Sequence, residues 1–342
     1  TWVGVAMVSA FIFPIWRWLD PFSTLHDTGA WILRRLGVEG WDATPYPAAL
    51  GRWPAVAGFA FVVWLELVLR GAAGRTLFIA VLGYTALTLA MMAQFGRDTW
   101  RSNGETFSVW FGLLGRLAPF AATTDGRLRR RPFVSGLLEP GWTTSDVVLV
   151  SLGVGSILFD GLSQTIGWYD VFGAPGAPVL TLQLIGFLGI IVLAALGVSR
   201  LVGVRSTGAG LLPIAVGYLV AHYLTYLLID GQRIVVAISD PLQRGSDLLG
   251  TAFYQPTGAF LPPGLVWTVQ LVAVVGGHMI GAWAGHVSAD RTVVRDPRLR
   301  QVPLAAVMVV LTTVTLWSLG QAILKPQDAQ PAASAATAAI SR

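Results

Sequence analysis

Two of the chain's four histidines fall deep inside long hydrophobic runs, and a third, His286, closes one of them. His222 lies in LPIAVGYLVAHYLTYLLID and His278 in LVWTVQLVAVVGGHMIGAWAGH, each near the middle of its run. An ionisable group at membrane depth is costly and marks function by default. The two helices would run antiparallel, so these imidazoles could face each other and share a transition metal or a haem iron, or relay protons. The opposing reading is a neutral histidine hydrogen-bonded to a neighbouring helix. A metal held by two histidines needs further ligands, and the HxH and HExxH spacings are absent. His286 lies about 80° further round the same helix and nearer its end, so it need not share a site with His278.

A second set of polar residues collects at the ends of the runs. Asp160 and Gln164 stand in SILFDGLSQTIGWYD, while Asp230, Gln232 and Arg233 follow the run that holds His222. Ser239, Asp240, Arg244 and Asp247 come next, and Gln270 opens the run that holds His278. One outward pocket could gather Asp160, Asp230, Gln232, Asp240 and Gln270 above His222. Such a pocket would bind a cation or a polar solute, or activate water at a metal. Loop caps and ion pairs would use the same residue types, and the Asp240–Pro241 pair marks a turn by itself. Glu66, four residues before Arg70, permits an ion pair along one helix face. Gly276, Gly277, Gly281 and Gly285 allow either close helix packing or room for a cofactor. In RSNGETFS, Asn103 and Glu105 have the form of a helix N-cap.

The elements that must position these residues are membrane helices. Of the residues 54% are hydrophobic and 12% charged, about half the charge of an ordinary soluble domain. Mean hydropathy is +0.65, and several apolar runs reach the roughly 20 residues that a membrane helix needs. These runs lack the alternation of a transmembrane barrel. The expected fold is therefore all-α: one polytopic helical domain over 1–323. Nine candidate spans are 1–19, 54–70, 75–94, 105–120, 147–167, 179–199, 209–229, 264–286 and 302–323. The fourth is short and carries Arg116, and a re-entrant 105–120 would reduce the count to eight. The opening TWVGVAMVSAFIFPIW starts without an initiator methionine, which leaves room for residues upstream of Thr1; a cleaved signal has weak support there, since it would need a positively charged segment before it.

Arginine resists translocation. The groups Arg127–Arg131 and Arg291–Arg300 share one side under nine spans, with Arg200 and Arg205, so that side is taken as cytoplasmic. Loops 20–53 and 230–263 then face outward, against which Arg34, Arg35, Arg97 and Arg101 stand as exceptions. The tail 324–342 is small, polar and expected to be disordered. A basic balance of twenty-three Lys and Arg against eighteen Asp and Glu is spread through the spans and loops, without the basic polar domain that nucleic acid would need. The chain has no cysteine, which excludes disulfides, thiolate metal sites and a cysteine nucleophile.

The segments GRWPAVAGFAFVVWLELV, NGETFSVWFGLLGRLAPF, FDGLSQT, VAHYLTYLLIDGQ, SDPLQRGSDLLGT and WTVQLVAVVGGHMIGAWAGH together resemble a bacterial, largely actinobacterial, family of integral membrane proteins commonly labelled fenitrothion hydrolase. The resemblance runs over residues 45–290. It implies a multi-pass protein of the bacterial plasma membrane and, from the label, hydrolysis of an organophosphate triester. In that case His222, His278, Asp230 and Asp240 would be the residues to test.

Three function classes remain. A transporter or solute-binding protein would use the outer acids as a mouth and the histidines as a gate, and this reading is favoured because no complete hydrolytic constellation is visible. A membrane hydrolase would need the same residues to hold metal and water. A subunit of a larger membrane complex would hold haem, contact quinone or serve as a scaffold beside other subunits.

Overall fold

A computed structural model describes residues 2–38, 42–69, 74–123, 126–173, 175–289 and 302–319. Arg70, Arg291–Arg300 and the tail 324–342 lie outside the described residues, and with them the Glu66–Arg70 pair and part of the arginine argument. The chain is an all-α bundle. Its first half contains α1 (Trp2–Phe11), α2 (Trp16–Leu19), α3 (Pro21–Arg35), α4 (Trp53–Leu67), α5 (Gly74–Phe95), α6 (Arg97–Asn103) and α7 (Thr106–Leu114). Then come a small hairpin of β1 (Phe120–Ala122) and β2 (Leu128–Arg130), paired Phe120 to Arg130. The second half contains α8 (Thr144–Ser163), α9 (Ile166–Phe172), α10 (Ala177–Val202), α11 (Val204–Ile229), α12 (Arg233–Ser239), α13 (Pro263–Ser288) and α14 (Val302–Leu319).

Among the described residues, six helices are long and apolar enough to cross a membrane; they contain α4, α5, α8, α10, α11 and α13. The other expected spans differ. The first breaks between α1 and α2, where Pro14 cannot donate to the helix ladder. The fourth ends at Leu114, and Arg116 then turns back to donate to the carbonyls of Glu139 (3.2 Å) and Pro140 (3.3 Å). The loop 20–53 is not structureless either, since α3 fills much of it, capped by Asp20 accepting from Phe22 N at 2.9 Å.

The short α7 changes which loops share a face. Arg52, at the start of α4, donates to Ser102 O at 3.2 Å and pairs with Asp146 at 2.7 Å. Arg17 donates to Thr123 O at 2.8 Å, and Arg205 reaches Leu138 O. Residues 12–20, 52, 97–103, 116–123, 126–146 and 203–205 thus lie at one end of the bundle. Loop 230–263, a full length of α11 away, lies at the other end. The expectation that 20–53 and 230–263 face the same side is therefore corrected. Arg97 and Arg101 cease to be exceptions, because they stand on the same face as Arg127 to Arg131.

At the centre is α8, buried on nearly all sides and apolar all round, as a fully enclosed helix should be. Its N-terminus carries a capping box of Thr143 and Asp146, and the buried Asp146 carboxylate is matched by Arg52. Against α8 pack α4, α10 and α11, and α11 packs most extensively on α13. That last seam is made of glycine. A Cβ on Gly277 would stand 2.6 Å from Pro213 O, and one on Gly281 or Gly217 would also strike facing backbone. Gly285 meets Leu304, whereas Gly276 has nothing within 4 Å. Packing therefore accounts for Gly277, Gly281 and Gly285, but not for Gly276. A smaller cluster of Phe22, Met92 and Trp100 joins α3, α5 and α6 beside the main core.

Loop 240–262 is held by a short-range cap. Asp247 accepts from Ala252 N (2.9 Å) and from Ser239 Oγ (2.8 Å), and these bonds hold its carboxyl below the usual 3.8. A depressed folded pKa contributes stability above the unfolded pKa and loses it as pH falls through the folded value. Hydrogen exchange at the Ala252 amide is expected to be slow at neutral pH and to quicken, relative to the core, below about pH 4. Asp247→Asn should remove that pH dependence; an unchanged profile would contradict the cap.

Candidate functional site

At the end of the bundle opposite the arginine-rich loops, α8 and α11 present a carboxylate and an imidazole to each other. His222 Nε2 lies 2.8 Å from Asp160 Oδ2, with both side chains mostly buried. Gln164, one turn further along α8, donates through Nε2 to Asp160 Oδ1 and to the Asp160 carbonyl, both at 3.0 Å. The carboxylate is thus held from both oxygens. It orients the imidazole ring through Nε2, as a carboxylate partner does. Among the described residues nothing hydrogen-bonds His222 Nδ1. The close approach depends on Gly161, where a Cβ would come 3.1 Å from Ser318 Oγ and Tyr218 Oη, and 3.8 Å from His222 Cε1.

The pair forms part of the wall of a cavity of about 340 Å³. Its other walls are Trp2 from α1, Glu66 and Leu67 from the end of α4, Gln164, and Tyr223 and Tyr226 from α11. The rings are mutually packed: Trp2 meets Tyr223 edge-on at 5.1 Å, and Tyr223 meets His222 at 4.7 Å. Asp160 stands near the C-terminal end of α8 and His222 within two turns of the end of α11, so the site belongs to one face of the bundle, not to its middle.

The structure brings together only part of the expected site. Asp160 and His222 meet, with Gln164. Asp230 instead pairs with Arg233 at 3.2 Å on the surface. Asp240 caps its own turn, accepting from Arg244 N (2.9 Å) and Gly245 N (2.8 Å). Gln232 anchors the loop, donating to Leu228 O and Thr257 O and accepting from Tyr254 Oη at 2.6 Å. Gln270 ties α13 to α11 by donating to Ala221 O at 2.8 Å. None of these four lines the cavity described above.

The two membrane histidines do not face each other. The Gln270–Ala221 bond and the Gly277–Pro213 contact fix the register of α11 against α13. His222 is then level with residue 269 and His278 with Pro213, roughly 13 Å apart along the axis at 1.5 Å per residue. His278 donates from Nδ1 to Val274 O at 2.8 Å on its own helix, while its Nε2 is buried with no partner among the described residues. A metal or haem iron shared by His222 and His278 is excluded by this separation. Among the described residues no group of three or more His, Asp and Glu is placed to hold a metal ion.

The aromatic wall was missed in the sequence, although a sign of it was there. Tyr226 lies four residues after His222, hence on the same helix face, and Tyr223 adjoins it. Trp2 and Glu66 could be found only from the packing of α1 and α4 against α11 and α8.

Compared with known proteins, the chain matches no family model, no curated protein and no solved structure.

Proposed function

We propose that this is a multi-pass protein of the bacterial plasma membrane that binds a small polar solute in an outward-facing cavity and carries it across. Eight spans fit the chain: α1 with α2, α4, α5, α8, α10, α11, α13 and α14, with α7 dipping in and returning. The arginine-rich end is then cytoplasmic, and the Asp160–His222 cavity faces outward. The resemblance to the membrane family labelled fenitrothion hydrolase agrees with this location. A hydrolytic role would use His222, oriented by Asp160, as a base through its other ring nitrogen.

The observation that carries the reading is the Asp160–His222 pair set in the wall of a cavity of about 340 Å³, within the usual range of ligand sites at 300–1,000 Å³. Asp160 offers charge and acceptor oxygens. His222 can take up or release a proton as a solute arrives, which is the common use of an imidazole beside a carboxylate. Gln164 keeps the carboxylate in one orientation.

Thermal unfolding of the detergent-purified protein with a panel of amines, amino acids, carboxylates and sugars tests this. At least one solute should raise Tm in a saturable way, and Asp160→Asn should weaken it at least about 10-fold, the scale of one lost charged hydrogen bond. If the folded wild type and Asp160→Asn respond alike to every solute, the site is wrongly assigned.

A further inference from the structure

The polar cavity has a neighbour of about 450 Å³, and Trp2, Glu66, Leu67 and Tyr223 belong to the walls of both. The second cavity is apolar. Phe59 and Val63 of α4, Phe107 and Trp110 of α7 and Ile157 of α8 line it, with Ser156 and Glu66 as polar groups. Leu77 closes it from α5, a helix that packs against α3 and α6 rather than α4. The apolar cavity therefore lies at the gap between α4 and α5, at the depth of lipid chains.

Among the described residues the lining of the joined space has two carboxylates, Asp160 and Glu66, the imidazole of His222 beside Asp160, and no arginine or lysine. The polar part also has three aromatic side chains, Trp2, Tyr223 and Tyr226. Ring faces attract cations, and such aromatic enclosures suit quaternary ammonium groups in particular. Polar cavity, aromatic wall and apolar cavity follow one another in that order.

We propose that the two cavities together take an amphipathic organic monocation. Its positive head lies among Asp160, Glu66, Trp2, Tyr223 and Tyr226, and its hydrocarbon part lies between α4, α7 and α8. This rests on the outward-site reading and adds the class of solute.

Four probes separate the terms: butyltrimethylammonium, tetramethylammonium, pentanoate and N-butylacetamide, titrated by calorimetry into purified protein. Butyltrimethylammonium should bind on the order of 50-fold tighter than tetramethylammonium, since three added methylenes enter an apolar space. Asp160→Asn should weaken both cations at least tenfold. Leu77→Trp, at an exposed rim position, should reduce the advantage of the butyl chain without abolishing tetramethylammonium binding; Ser156→Leu should do the same from the inner wall. Equal affinity for the two cations would overturn the role of the apolar cavity. Tight, Asp160-dependent binding of pentanoate or N-butylacetamide in place of the cations would overturn the solute class and leave the site standing. Butyltrimethylammonium binding that is untouched by Asp160→Asn would mark an ordinary lipid-chain groove and overturn the proposal. Failure of all four probes, with other solutes still acting through Asp160 in the thermal screen, would reject the cation alone; failure of both experiments would reject the site as well.

Discussion

Glu105→Ala is expected to destabilise the protein by about 4 kcal/mol or more, because each buried donor it orphans costs about 1–3 kcal/mol. The Glu105 side chain is fully buried and accepts from four donors: Phe107 N (3.0 Å), Ser108 N (2.6 Å), Tyr84 Oη (2.6 Å) and Trp16 Nε1 (3.3 Å). The first two cap α7. Tyr84 brings in α5, and Trp16 brings in α2. One carboxylate thus joins the main bundle to the α3, α5 and α6 cluster. Glu105→Gln keeps an acceptor oxygen and places an amide nitrogen against the remaining donors, so about half the loss is expected. Thermal unfolding of the three proteins in one detergent decides it. A Tm for Glu105→Ala within the error of wild type would show that these bonds do not form.

The second large effect concerns the glycine seam. Gly281→Leu should prevent α11 and α13 from closing, since even a Cβ at that position strikes the Gly210 carbonyl. Overpacking of a tight contact costs about 1–3 kcal/mol when neighbours can shift, and here the neighbour is backbone, which yields less than a side chain. Gly276→Leu is the matched control, because nothing lies within 4 Å of its Cβ position. The monodisperse fraction on size exclusion should collapse for Gly281→Leu and stay near wild type for Gly276→Leu. Equal behaviour would mean that the seam is not formed as described. Because the same seam sets the level of His222 against Gln270, damage there would also disturb the cavity.

The helical character of the chain and its helices long and apolar enough to cross a membrane were legible because hydropathy and length act locally: an apolar run of bilayer length needs no partner to be recognised. The same locality explains the capping role of Glu105, although Glu105 itself is the cap, while Ser102 and Asn103 bond back to Asp98 O and Thr99 O. What could not be read was whether a short apolar run crosses or returns. The run at 105–120 has the composition of a span, and only the bonds of Arg52 and Arg116 to distant loops show that it turns back. One reversed crossing moves every earlier loop to the other face, which is why Arg97 and Arg101 stood as exceptions.

The candidate site was legible in the same uneven way. His222 stood out as an ionisable group inside an apolar run and Asp160 as a carboxylate at the end of another, and each is the other's partner. Asp230, Asp240 and Gln232 have the same residue types, but their partners lie within a few residues or in the same loop, and sequence distance does not separate a capping aspartate from a binding one. His278 was paired with His222 on depth alone. Helix register decides such a pairing, and the register depends on which glycines face each other.

Single-cysteine accessibility tests the central claim most directly, and the chain's lack of native cysteine makes the labelling clean. Gln164→Cys, in the cavity wall, and Ser102→Cys, beside Arg52, would each be exposed to a membrane-impermeant maleimide in intact cells and again after permeabilisation. The account predicts that Gln164→Cys reacts in intact cells and that Ser102→Cys reacts only after permeabilisation. Labelling of Ser102→Cys from outside, or a Gln164→Cys that stays silent until the membrane is opened, would contradict an outward-facing Asp160–His222 cavity.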